Sequence, residues 1–239
     1  MPNLTMKTNN SITYGEGFAI QKTAKVAGLA YVLIIVVPLL SMLLIDPKIT
    51  VSENIVATIN NIIANELLFR IDSTITLLMF IGVVILALAL YKILKSVNKQ
   101  LAQLALLWRF AEAIVGIVAA LSNFILLSLI TKESNIEILG KEQFYSLAEF
   151  IHGIYWKVTP VIFILLALGS IIVFYLFYKS KLIPKALSIL GIVSYSLVLI
   201  GALISLIYGG NAYMILGSQT ILFEIVIGCW LFFKGVNIS

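Results

Sequence analysis

Three ionisable side chains stand in segments otherwise fit only for hydrocarbon: Arg109 and Glu112 in LLWRFAEAIV (106–115), and Glu224 in ILFEIVIGCW (221–230). An Arg and a Glu three residues apart share a helix face and can pair. The guanidinium stays charged in proteins, so the carboxylates are the groups that can gain or lose a proton. Two carboxylates against one guanidinium leave one negative charge over. Either one Glu holds a proton, or a cation or polar ligand balances the set. Such a set can handle protons or a small solute, or it can act as interhelical glue.

The residues around these charges are small. Projected at 100° per residue from Arg109, the residues Ala102, Ala105, Glu112, Ala113, Gly116, Ala120 and Asn123 fall within about 60° of it. Gly217, Thr220, Glu224 and Gly228 share a face in the same way, and Gly201, Ser205 and Gly209 follow small-xxx-small spacing. Small residues let helices approach closely, so these faces are expected to converge, with Arg109, Glu112, Asn123, Thr220 and Glu224 as a candidate intramembrane polar cluster.

A second candidate set lies near one membrane surface: Glu66, Arg70, Asp72, Glu149, His152 and Lys157. At interface depth these groups can reach water, so their charges are cheap and a solvated face explains them as readily as a site does. His152 is the only histidine and Cys229 the only cysteine, which excludes bis-histidine haem ligation by this chain and leaves no Cys-based metal pattern. No cofactor or metal is expected.

The elements that must position these residues follow from composition. Of 239 residues, 61% are hydrophobic and only 11% charged, and the mean hydropathy is +1.09. A soluble domain carries about 25% charged residues, so this is a membrane composition. Apolar stretches near 26–45, 73–93, 102–130, 158–178, 186–208 and 215–233 can each cross a hydrocarbon layer of about 30 Å as a helix. They lack the period-2 alternation of barrel strands. The expected fold is therefore all-α: a polytopic bundle of six transmembrane helices over 26–234, preceded by a disordered cytoplasmic segment at 1–25. The first span is read as a retained helix, since its apolar run exceeds a signal-peptide core and no small-x-small cleavage site follows it.

Between the first two spans, Ile55, Val56, Ile59, Ile62 and Ile63 recur at 3–4 spacing opposite Asn54, Thr58, Asn61 and Asn65. That pattern predicts an amphipathic outer helix starting near Ser52, lying in the interface or capping the bundle. A second helix is expected to run unbroken from about Lys141 into the fourth span. Pro38 and Pro160, inside spans one and four, are expected to kink them. Tyr and Trp residues near both span ends suit the aromatic belts of a bilayer.

Lys and Arg outside the spans divide ten to five: Lys7, Lys22, Lys25, Lys92, Lys95, Lys99, Lys179, Lys181, Lys185 and Lys234 against Lys48, Arg70, Lys132, Lys141 and Lys157. The positive-inside rule then puts both termini in the cytoplasm, with the chain in a cytoplasmic (inner) membrane. The basic excess is topological, and no interleaved aromatic stripe suggests nucleic acid.

Enzyme patterns do not fit. NELLFR at 65–70 resembles the double-Glu and Arg signature of the intramembrane prenyl-protein endopeptidases, but Asn65 stands at the first Glu position and the required histidine motifs are missing. Neither a Ser/His arrangement of rhomboid type nor a phosphate-binding glycine loop is present. The reading leans against an enzyme.

Several segments together resemble a bacterial membrane family of uncharacterised function, domain of unknown function 4386. They are QKTAKVAGLAYVLIIV, ELLFRID, ALYKILKSVNKQLAQLALLWRFAEA, YLFYKSKLIPKALSILGIV and CWLFFKGVN, in that order from about Gln21 to Asn237. The resemblance implies a six-helix inner-membrane protein and no established activity. Arg109, Glu112 and Glu224 match its pattern. Val83 and Gly169 depart from it, standing where members often carry an Asp and a His. The expected function is a transporter-like or solute- and proton-sensing unit, with the bilayer and a small solute or proton as partners. The alternative is a structural protein whose outer helices bind a membrane partner or a second copy.

Overall fold

A computed structural model describes residues 14–237. The described chain is helical with no strand among its described residues, in the order α1 (Tyr14–Leu44), α2 (Asp46–Ile49), α3 (Ile55–Ala64), α4 (Glu66–Leu94), α5 (Lys99–Ile130), α6 (Glu133–Leu139), α7 (Lys141–Ser180), α8 (Lys185–Tyr208), α9 (Ala212–Gly217) and α10 (Gln219–Phe233). Six helical stretches are long and apolar enough to cross a membrane. The all-α polytopic fold, with an amphipathic helix between the first two spans, is thus the observed one.

The six spans are antiparallel neighbours in chain order, α1–α4–α5–α7–α8–α10, and α10 packs back on α1 to close a ring. Closure depends on two glycines. A Cβ at Gly28 would lie 2.5 Å from both the Gly228 carbonyl oxygen and the Phe232 amide nitrogen, and one at Gly228 would lie 3.0 Å from the Gly28 carbonyl oxygen. Only bare backbone permits a crossing that close. Between 28% and 44% of each span's apolar window is buried. The outward faces, such as Leu107, Ile114, Val118 and Ile125 on α5, are exposed and apolar. So large an apolar surface is one that hydrocarbon covers.

Local chemistry sets the helix ends. Asn54 and Asn98 cap α3 and α5, their side-chain oxygens accepting from Ala57 N at 2.9 Å and Leu101 N at 3.0 Å. α3 therefore begins at Ile55, three residues after Ser52. Its amphipathic pattern also turns out differently from expectation: Ile59 and Ile62 are buried, but so is Thr58, while Val56 and Ile63 are exposed. The buried Thr58 hydroxyl is satisfied, accepting from Val51 N at 2.9 Å and donating to Val51 O at 3.2 Å, which ties the helix to the preceding loop. Ile49, Ile59 and Ile62 join Phe69, Leu126, Phe144 and Ile151 in a second core that caps this end of the bundle.

Three further elements add detail. α1 starts at Tyr14, so residues 14–25 continue the first helix, while residues 1–13, taken above as part of a disordered cytoplasmic segment, lie outside the described residues. As expected, α7 runs unbroken from Lys141 into the fourth span, its 40 residues (roughly 60 Å) overshooting a hydrocarbon layer of about 30 Å, and both α1 and α7 remain helical through Pro38 and Pro160. The sixth span is interrupted at Ser218. There Ser218 Oγ donates to Ile215 O at 3.0 Å and Thr220 Oγ1 to Gly217 O at 2.5 Å, back-bonding of the kind that bends helices. Gly209 does not pack: it caps α8 with φ 77°, and nothing lies within 4 Å of its Cβ position.

The chain's end is latched to its beginning. Gln21 Nε2 donates to Val236 O at 2.5 Å and Gln21 Oε1 accepts from Val236 N at 3.2 Å, while Asn237 N donates to Leu182 O at 2.8 Å. These bonds tie the Lys-rich ends of α1, α7 and α10 together, and that end is called the basic end below.

Candidate functional site

The closed ring directs one face of each span toward a common axis, and the buried charges meet there. Arg109, Glu112 and Glu224 are 3%, 4% and 5% exposed, a degree of burial that leaves bulk water no part in balancing them. Arg109 lies about ten residues along α5 from the basic end, roughly 15 Å at helical rise, and Glu224 about as far from that end of α10. That is mid-bilayer depth.

Arg109 Nη1 lies 2.8 Å from Glu112 Oε2. The contact is ionic, but its angles fall outside hydrogen-bond geometry, so Arg109 Nε, Arg109 Nη1 and Glu112 Oε2 are all buried without a hydrogen-bond partner. Orphaned donors on a buried guanidinium are costly, because charge-assisted bonds are the ones most expensive to leave unmade. Glu224 takes its hydrogen bond from another span: the Tyr195 hydroxyl donates to its Oε1. Tyr31 of α1 stands beside Tyr195, and the charges of Arg109, Glu112 and Glu224 all act on it. Four spans thus meet in one polar set.

Packing holds this set in place. The Tyr195 ring stacks on Phe174 with centroids 5.7 Å apart, and Phe174 meets Phe223 edge-on at 5.0 Å. Phe174 in turn occupies the space over Gly191, where a Cβ would come within 2.4 Å of its ring. Gly169 makes room for the arginine: a Cβ there would lie 3.0 Å from Arg109 Cγ and 3.2 Å from Ala105 O. Beside Arg109, a cavity of about 10 Å³ lies among Ala102, Ala105, Leu90 and Val173, space for one water at most.

A second polar region sits at the opposite end, between α1, α2, α4 and α7. It is a cavity of about 320 Å³ whose lining includes Asp46, Asp72, Asn123, His152, Tyr155 and Trp156. Ser41 Oγ donates to Asp72 Oδ1 and Thr50 Oγ1 to Asp46 Oδ1, both at 2.6 Å. His152 Nδ1 is buried with no hydrogen-bond partner. Phe80 is buried from α4 against Gly116, and Ile34 of α1 lines the cavity.

The expected clusters are therefore redistributed. Arg109, Glu112 and Glu224 come together; Thr220 is buried on the same helix as Glu224 but spends its hydroxyl on Gly217 O, and Asn123 lines the outer cavity instead. The central set gains Tyr31 and Tyr195. Of the outer set, Asp72 and His152 line the cavity and gain Asp46. Glu66 and Arg70 form an exposed i,i+4 pair at 2.7 Å. Glu149 is exposed, and Lys157 sits over the Phe150 ring at 5.3 Å. No group of three His, Cys, Asp or Glu suited to a metal ion occurs among the described residues.

Fold and site together define an all-α multi-pass membrane domain with a charged, closed centre. The chain belongs to the family described as domain of unknown function (DUF4386), whose model matches residues 26–235. Comparison with curated proteins and with solved structures finds no match.

Proposed function

We propose that the protein is a proton- or solute-handling unit of a cytoplasmic membrane, with both termini on the cytoplasmic side. The observation that carries this reading is the unbalanced central set: one guanidinium against two carboxylates at mid-bilayer depth, with three of its polar atoms lacking a hydrogen bond. Glue between helices needs balanced, satisfied partners; this set is neither. Intramembrane ionisable groups of this kind mark proton and solute paths. In this reading Glu112 stays paired with Arg109, and Glu224, held by Tyr195 from the next span, is the carboxyl that takes and releases the proton. The orientation rests on the ten-to-five division of Lys and Arg between the two ends.

The test is the pH dependence of thermal stability of the purified protein in detergent. The native chain is expected to show a midpoint that changes with pH, and Glu224→Gln to lose that change. A pH dependence unchanged from the native chain in both Glu112→Gln and Glu224→Gln removes the proton-handling reading.

A second reading, that the outer helices bind a membrane partner or a second copy, is favoured by one feature: Ile138 of α6 and Ile63 of α3 are exposed at the same end of the bundle. Cross-linking at that end, followed by the mass of the product, separates a partnered chain from a monomer.

A further inference from the structure

The cavity at the α2–α3 end holds chemistry that the central set does not use. It is lined by two carboxylates, Asp46 and Asp72, from the end of the first span and the start of the second, with no Lys or Arg among the described residues that line it. Asp46 acts electrostatically on both Asp72 and His152, so the three groups belong to one field. Ser41 and Thr50 each donate to one oxygen of each carboxylate, the Oδ1. Those bonds fix the direction of the carboxylates and leave both Oδ2 atoms as acceptors with no described hydrogen bond. His152 adds a buried Nδ1 without a partner, an acceptor when the ring proton is on Nε2.

A half-enclosed space with negative groups, acceptors and no fixed cation attracts a positive ligand. Size and wall chemistry decide which kind. About 320 Å³ is at the lower end of the roughly 300–1,000 Å³ of small-molecule pockets and far beyond a bare ion. Its wall also carries Tyr155 and Trp156, whose rings meet edge-to-face at 5.5 Å. Aromatic faces beside carboxylates favour an ammonium carried on an apolar body.

We propose that this cavity binds a small organic ammonium ion: a primary amine whose charged head meets Asp72 and Asp46 and whose apolar body lies against Tyr155, Trp156 and the aliphatic wall of the first span. The site is independent of any proton on the central carboxylates, because it rests on different residues at a different depth.

The experiment titrates the purified full-length chain in detergent with 2-phenylethylamine and, separately, with the neutral isostere 2-phenylethanol. Binding is read by tryptophan fluorescence and by thermal stabilisation. The amine is expected to quench and stabilise saturably, the alcohol to bind at least about tenfold more weakly, as loss of one charge-assisted contact implies. Asp72→Asn is expected to weaken the amine by a similar factor, and Trp156→Phe to remove the fluorescence response while the stabilisation persists. Equal binding of amine and alcohol, unchanged amine affinity in Asp72→Asn, or no response to millimolar amine overturns the proposal. Should Asp72→Asn fail to fold, the amine–alcohol comparison on the native chain still decides it.

Discussion

The two polar regions of this bundle use similar side chains in opposite settings. At the centre, Arg109, Glu112, Glu224, Tyr31 and Tyr195 are all buried, and the cavity beside Arg109 measures about 10 Å³. At the α2–α3 end, Asp46, Asp72 and His152 border about 320 Å³ and are only partly buried. A buried charge with nowhere to go must be balanced by its neighbours, by a proton or by an ion. A charge at the rim of a cavity can be balanced by whatever enters. The difference between a store and a receptor for charge lies here in packing more than in residue type.

That contrast can be broken by removing one charge from each region. Arg109→Ala leaves two carboxylates buried together and should cost roughly 3–5 kcal/mol, the penalty for stranding one partner of a buried pair. Its unfolding midpoint in detergent should fall far below the native value, and a near-native midpoint would mean that water already reaches the centre. Ser41→Ala in the outer region removes one half-buried hydrogen bond to Asp72, worth about 0.5–1.5 kcal/mol. A loss as large as that of Arg109→Ala would show the outer carboxylate to be as isolated as the central ones.

What was legible in the sequence also divides along this line. Six spans could be read because hydrocarbon demands about 20 apolar residues per crossing. Arg109, Glu112 and Glu224 could be read because a charge in such a run has few tolerable places to face. Tyr31 and Tyr195 could not: a tyrosine in an apolar span passes for ordinary aromatic packing, and their meeting depends on ring closure between α1 and α10 at Gly28 and Gly228, a contact between distant parts of the chain. Asn123 was grouped with Arg109 because both lie on one face, but fourteen residues along a helix are roughly 21 Å, enough to reach the other cavity. Asp46 lies in the segment joining the first span to α3, and only the tertiary fold brings it to one cavity with His152. Helical periodicity gives direction around an axis; depth and the identity of the facing helix come from tertiary packing.

The glycines carry a similar lesson. Gly169 lies against the stem of Arg109, so the room that another side chain would take is given to the guanidinium's approach. Val83 is buried in the main core. Among the described residues, the buried formal charges are Arg109, Glu112 and Glu224, so the chemistry of the centre turns on their balance.

The most direct measurement of that balance is infrared difference spectroscopy of the protonated-carboxyl band at neutral pH, comparing the native chain with Glu224→Gln. A carboxylic acid band is expected in the native protein, lost in Glu224→Gln and kept in Asp72→Asn. A native spectrum whose carboxyl band is untouched by Glu224→Gln would contradict that expectation.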